Sequence, residues 1–87
     1  MEIVYSFKAE DDLKFWKKSG NVIIQKKIQE LLNSIKLTPF EGIGKPELLK
    51  YNLSGSWSRR INQEHRIVYD IYEEDDTVLI QSLKGHY

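Results

Sequence analysis

Trp57-Ser58-Arg59-Arg60-Ile61, then Arg66-Ile67-Val68-Tyr69-Asp70-Ile71-Tyr72, then Thr77-Val78-Leu79-Ile80-Gln81-Ser82-Leu83 decide the fold. The second and third runs are rich in β-branched and aromatic residues, and the pattern of all three is that of strands. Only Asn62-Gln63-Glu64 and Glu73-Glu74-Asp75-Asp76 separate them. Connections that short force each strand to pair antiparallel with the next, so the three form a meander. Along the middle strand Ile67, Tyr69 and Ile71 share one face; Arg66, Val68, Asp70 and Tyr72 share the other.

Toward the N-terminus the period changes from two to 3.6. Glu2-Ile3-Val4-Tyr5-Ser6 reads as a short strand, and Ser6 as the cap of a helix over about residues 8–18. Glu10, Asp11 and Asp12 fall in its early turns and Lys17 and Lys18 in its last, the order that suits a helix dipole. Gly20 ends it and Asn21 caps the next. In that second helix Ile24, Ile28, Leu31, Leu32 and Ile35 make a core-facing stripe. A connection of one or two residues predicts a helix hairpin. Thr38-Pro39-Phe40-Glu41-Gly42-Ile43-Gly44 reads as a loop, and Pro46 as the start of a single helical turn over Glu47-Leu48-Leu49-Lys50. The order β-α-α-β-β-β predicts an α+β domain over residues 1–87, a largely antiparallel sheet with the helix hairpin packed on one face.

Composition narrows the function. A chain of 87 residues that is 40% hydrophobic and 30% charged suits one soluble globular domain. It has no cysteine, which removes disulfides, thiolate metal sites and a thiol nucleophile. No apolar run approaches the ~20 residues a membrane-spanning helix needs, and no secretory segment follows Met1, so a cytoplasmic location with no membrane partner is expected. The net charge is zero but unevenly placed. Residues 13–36 carry six Lys against Glu30, a balance of +5, and residues 45–66 carry five Lys and Arg against Glu47 and Glu64, a balance of +3. Asp70, Glu73, Glu74, Asp75 and Asp76 supply most of the offset. Two readings fit: solvated helices beside an acidic turn, or a basic face for nucleic acid.

The candidate chemistry is sparse and specific. Glu47 at a helix start is either favourable electrostatics or a general base, ionised but weak and in need of positioning. Arg59, Arg60 and Arg66 lie on neighbouring strands, as surface ion-pair partners or as a phosphate clamp. Alternation sends Arg59 and Arg60 to opposite faces, so at most one shares a face with Arg66. His86 and Tyr87 close the sequence. They fray, or the last strand holds them where an imidazole protonates a leaving oxygen and a phenol stacks or orients a phosphate. His65 reads as structural, and Trp16 and Trp57 as packing residues. Two histidines and no cysteine make a poor metal site, and no cofactor motif is present.

Several of these pieces occur together in one known group. Thr38-Pro39-Phe40-Glu41-Gly42, Gly44-Lys45-Pro46-Glu47, Asn52-Leu53-Ser54-Gly55, Trp57-Ser58-Arg59-Arg60-Ile61, Glu64-His65-Arg66, Val68-Tyr69 and His86-Tyr87 closely resemble the YoeB/Txe family. These are toxins of type II toxin–antitoxin systems within the RelE/ParE superfamily. The resemblance covers the whole chain and is densest over 38–87. It implies a small α+β toxin fold and a ribosome-dependent endoribonuclease, without metal or cofactor, that cleaves mRNA in the ribosomal A site. It also implies contacts with 16S rRNA backbone and neutralisation by a cognate antitoxin; monomer and homodimer both stay open. The general base of the family falls on Glu47, its phosphate-stabilising arginine on Arg66, its general acid on His86 and its supporting tyrosine on Tyr87. Lys50 and Arg60, with Arg59 beside them, match basic positions linked to RNA contacts. The chain departs at Leu49, where relatives often have proline, at the variable Ser56, and at Gly85, where others carry a larger residue.

Two other classes of function compete with the nuclease. One is a non-catalytic binder of a different target such as DNA gyrase; the other is a degenerate module that binds only an antitoxin. The joint presence of Glu47, Arg66, His86 and Tyr87 favours the nuclease.

Overall fold

The computed structural model describes residues 1–85. In chain order it contains β1 (Glu2–Tyr5), α1 (Phe7–Ser19), α2 (Val22–Leu37), β2 (Glu47–Leu48), β3 (Trp57–Arg60), β4 (Arg66–Tyr72) and β5 (Thr77–Ser82). The strands form one sheet in the order β1-β5-β4-β3-β2. The β3–β4–β5 meander is antiparallel as its short connections require, whereas β1 lies parallel to β5, with Ile3 opposite Val78 and Tyr5 opposite Ile80.

Each helix begins and ends where its residues dictate. The Ser6 hydroxyl accepts the Ala9 N–H at 3.0 Å, and Gly20, in the left-handed region at φ 71°, closes α1. The Asn21 side chain accepts the Ile24 N–H at 3.1 Å to open α2. All five predicted stripe residues of α2 are buried, and they pack with Ala9 and Trp16 of α1 against Ile67, Tyr69, Val78 and Ile80 of the sheet. Burying each such large aliphatic side chain is worth about 1.5–3 kcal/mol, so this face carries the stability of the domain. Among the described residues no α-helix packs across the opposite face of the sheet. Both helices pack on the core side, which leaves the Arg66–Val68 side of β4 for function.

One local expectation is overturned. Glu47 and Leu48 do not start a helical turn; they form β2, an edge strand paired antiparallel with β3. Pro46 precedes this edge, where its missing N–H costs no ladder bond. The only helical turn nearby is a short 3-10 turn at Tyr51–Leu53. Glu47 therefore has no helix dipole behind its carboxylate, and the electrostatic reading based on a helix start falls away.

Candidate active site

The sheet register determines which candidates share a face. Glu47 stands opposite Ser58, Ser58 opposite Val68, and Val68 opposite Ser82; two residues along, Arg60 stands opposite Arg66. Directly opposed residues point to the same side, and so do residues two apart on one strand. Glu47, Arg60 and Arg66 accordingly project from the helix-free face. With strands ~4.8 Å apart and ~3.4 Å of rise per residue, the Glu47 Cα lies about 8 Å from that of Arg60 and about 12 Å from that of Arg66. Long side chains close gaps of that size around a bound phosphate.

The surroundings of each group follow from its strand. Glu47 is exposed, and with Lys50 and Leu53 it lines a depression of about 410 Å³. Leu53 also lines the neighbouring cleft of about 510 Å³, whose wall includes Val68, His65, Lys84 and Gly85. Arg66 is half-buried at the head of β4, where its Nη1 donates to the carbonyls of Asn62 at 2.6 Å and His65 at 3.2 Å. Arg60 is exposed, its backbone N–H held by the Gly44 carbonyl at 2.7 Å, and it borders a groove shared with Lys27 and Lys45. An exposed carboxylate and two guanidiniums on one open surface suit a phosphodiester: the first can accept a proton and the others can hold phosphate oxygens.

Arg59 does not join them. Opposite Ile67 on the core side, it is completely buried, and all five of its donors are engaged within the chain. Nε donates to the Tyr69 hydroxyl, Nη1 to Ser34 Oγ and the Ile43 carbonyl, and Nη2 to the carbonyls of Thr38 and Glu41. The expected substrate contact at Arg59 is corrected: this side chain clamps the 38–43 loop. Gly42 and Gly44 make the clamp possible. A Cβ on Gly42 would sit 2.5 Å from Ser34 Oγ, and one on Gly44 would sit 2.6 Å from Leu31 Cδ2.

The last part of the described chain is anchored by buried polar groups. The Leu83 N–H donates to Asp12 Oδ2 at 2.9 Å, and Trp16 Nε1 donates to the Leu83 carbonyl at 2.9 Å. The Gly85 N–H donates to His65 Nδ1 at 2.9 Å, and the Arg66 N–H donates to the Gly85 carbonyl at 3.1 Å. Trp16 therefore packs in the core as expected, with its indole edge-on to His65 at 4.8 Å between ring centroids. His86 and Tyr87, the expected acid and its supporting phenol, lie outside the described residues. Gly85, whose small size stood as a departure, has both its backbone groups bonded. Among the described residues no three His, Asp or Glu side chains gather as a metal site. No helix among them is long and apolar enough to cross a membrane.

Comparison with known proteins adds an independent line. A sequence profile for the YoeB-like toxin of bacterial type II toxin–antitoxin systems matches residues 5–87. The toxin YoeB of Escherichia coli K12 is 48% identical over 87 residues, 100% of both chains. The solved structure of a YoeB/ParE toxin from Agrobacterium tumefaciens superposes with a TM-score of 0.93 at 38% identity, covering 100% of each chain. A Staphylococcus aureus protein, solved in a heterotetrameric YoeB–YefM toxin–antitoxin complex and as a YoeB dimer, gives a TM-score of 0.86 at 46% identity in both. Those alignments cover 100% of this chain and 98% of that one.

Proposed function

This chain belongs to the YoeB-like toxin family of bacterial type II toxin–antitoxin systems, and we propose that it is a ribosome-dependent endoribonuclease that cleaves mRNA in the A site and halts translation. The observation that carries this reading is the shared, helix-free sheet face of Glu47, Arg60 and Arg66, with the chain pinned at Gly85 beside Arg66.

Glu47 takes the proton of a ribose 2′-hydroxyl, and the freed oxygen attacks the adjacent phosphorus. Arg66 holds the phosphoryl oxygens as negative charge grows on them, a stabilisation strongest in the transition state. The bond from phosphorus to the 5′-oxygen breaks, and His86 donates a proton to that oxygen. The products are a 2′,3′-cyclic phosphate and a 5′-hydroxyl. Tyr87 supports the phosphate end of the site, and Lys50 and Arg60 hold the RNA backbone. The proton transfers need no metal and no cofactor.

The ribosome supplies what the protein lacks. Glu47 sits exposed on a two-residue edge strand, at an open depression rather than an enclosed cleft that would align a flexible RNA for in-line attack. Alignment of that kind is worth up to about 7–11 kcal/mol in well-oriented reactions. The basic 13–36 helices contact rRNA backbone, so ribosome binding weakens with salt. A cognate antitoxin neutralises the toxin, as a YefM partner is seen with the Staphylococcus aureus relative. A homodimer is proposed on the same basis. These activities place the protein in the cytoplasm.

The deciding experiment programmes ribosomes with a defined mRNA, adds the protein and maps 5′ ends by primer extension. Codon-positioned cuts that disappear in Glu47→Gln and His86→Gln, and persist with a zinc-selective chelator that spares ribosomal magnesium, are expected. Equal cutting of naked RNA would contradict the alignment argument.

A further inference from the structure

The structure assigns a positioning role to His65: its neutral Nδ1 is the acceptor that locks Gly85, and thereby sets the start of the segment that bears His86. This inference rests on the nuclease reading, in which His86 is the acid.

The geometry leaves little choice of tautomer. A backbone N–H only donates, so the 2.9 Å contact from Gly85 requires a lone pair on Nδ1 and places the imidazole proton on Nε2. The ring is held for that purpose. Its side chain is only 18% exposed, the Trp16 indole packs edge-on against it, and Glu64 faces Nε2 at 3.7 Å, where a carboxylate favours an N–H. The neighbouring residue completes the arrangement, because the Arg66 N–H binds the Gly85 carbonyl. The dipeptide His65-Arg66 thus holds both backbone groups of Gly85, while the Arg66 guanidinium rests through Nη1 on the Asn62 and His65 carbonyls.

Gly85 needs such a lock. Its φ of 92° is accessible to glycine with little bias, and no Cβ restrains it. Upstream, Asp12 and Trp16 fix only Leu83. Without the Nδ1 acceptor, the Gly85 backbone would keep, among the described residues, the Arg66 N–H on its carbonyl, with the Lys84 ammonium over the Phe15 ring one residue upstream. A displacement of about 1 Å in a reacting group costs about 10²-fold in rate.

The test compares His65→Leu with His65→Asn, whose Oδ1 falls where Nδ1 was, in the full chain. Two quantities are read: hydrogen exchange of the Gly85 amide, and single-turnover cleavage of ribosome-bound mRNA. In His65→Leu we expect Gly85 exchange at least about ten-fold faster and cleavage at saturation slower by about 10²-fold, with half-saturation unchanged. His65→Asn should restore most of both. Should the leucine variant not fold, His65→Phe, which keeps a ring against Trp16 but has no acceptor, takes its place. Unchanged Gly85 exchange in the acceptor-less variant, or an asparagine variant as slow as it, would overturn the assignment. A wild-type protein that cuts no RNA sinks the nuclease reading instead, while the exchange measurement still decides whether His65 holds the tail.

Discussion

Arg59 Nε donates to the Tyr69 hydroxyl at 3.0 Å, and that hydroxyl donates on to the Pro39 carbonyl at 2.8 Å. A charged side chain at the centre of the domain is thereby tied to the loop that leads to Glu47. A buried cation without its full set of acceptors is costly, and the acceptors left behind are costly as well. Arg59→Leu removes five donors from carbonyl and hydroxyl partners. It should lower stability by about 3–5 kcal/mol. For a domain of this size the melting temperature should then fall by more than about 10 °C. Arg59→Lys keeps the charge but supplies only three donors on a flexible stem, so it should recover less than half of the loss. Thermal unfolding of the three proteins checks this.

The same pair sets an alkaline limit. Burial pushes the Tyr69 phenol above its usual value of 10.0, and the Arg59 contacts oppose that rise only in part. The folded chain then holds this proton more tightly than the unfolded one. Stability is fully present below pH about 10 and is lost as pH rises through the higher folded value. Tyr69→Phe should flatten the decline in melting temperature above pH 10. It should also start lower, by about 1–3 kcal/mol, because Arg59 Nε and the Pro39 carbonyl lose their partner. Tyr5, also raised by burial, has the same sign and leaves a residual slope. A melting-temperature series across pH 8–11.5 reads both effects.

Much of this arrangement was legible in the chain. The α2 stripe, the Ser6 and Asn21 caps, the Gly20 stop and the three meander strands are each fixed by local period or local hydrogen bonding, and they stand within a residue or two of expectation. What was not legible depends on partners distant in sequence. A two-residue exposed strand such as β2 has no alternation to detect, and it exists because Ser58 and Trp57 pair with it. The parallel pairing of β1 with β5 joins residues 2 and 77. Alternation showed that Arg59 and Arg60 part ways; Arg59 opposite Ile67 goes inward because loop carbonyls wait for it there, and only Gly42 and Gly44 hinted at so close an approach. For His65 the missing fact was the Gly85 N–H, twenty residues away.

Within the site, Glu47 and the two exposed arginines should separate kinetically. Glu47→Gln keeps the shape of the side chain and removes the base, so cleavage on saturated ribosomes should fall by about 10²–10⁴-fold. Arg66→Lys keeps the charge but loses the planar fork, and the same rate should drop by about 10²–10³-fold. Arg60→Ala should mainly raise the concentration for half-maximal cleavage, since it removes a backbone contact rather than a charge at the reacting phosphorus. Single-turnover curves against ribosome concentration distinguish the three. An Arg60 variant with the rate defect of Arg66 would move the phosphate clamp one strand over.

Gly44 offers a way to test whether the edge strand must be placed accurately. Its carbonyl holds the Arg60 N–H at 2.7 Å, and three residues later comes Glu47. Gly44→Ala adds a methyl group 2.6 Å from Leu31 Cδ2, 3.2 Å from the Arg60 carbonyl oxygen and 3.2 Å from Arg59 Cβ, at a φ of 81° that already disfavours alanine. Gly55→Ala is the control: at φ 96° it carries similar backbone strain, but a Cβ there meets nothing within 4 Å. Left-handed strain alone costs about 1–2 kcal/mol. Overpacking at Gly44 should add about 1–3 kcal/mol more. If Glu47 reaches the ribose only from a correctly seated β2, Gly44→Ala should also cut the cleavage rate by more than ten-fold at temperatures where it remains folded, and Gly55→Ala should not. Equal rates in the two variants would mean that the edge strand tolerates displacement, and that the ribosome, rather than the 44–47 segment, sets the position of the base.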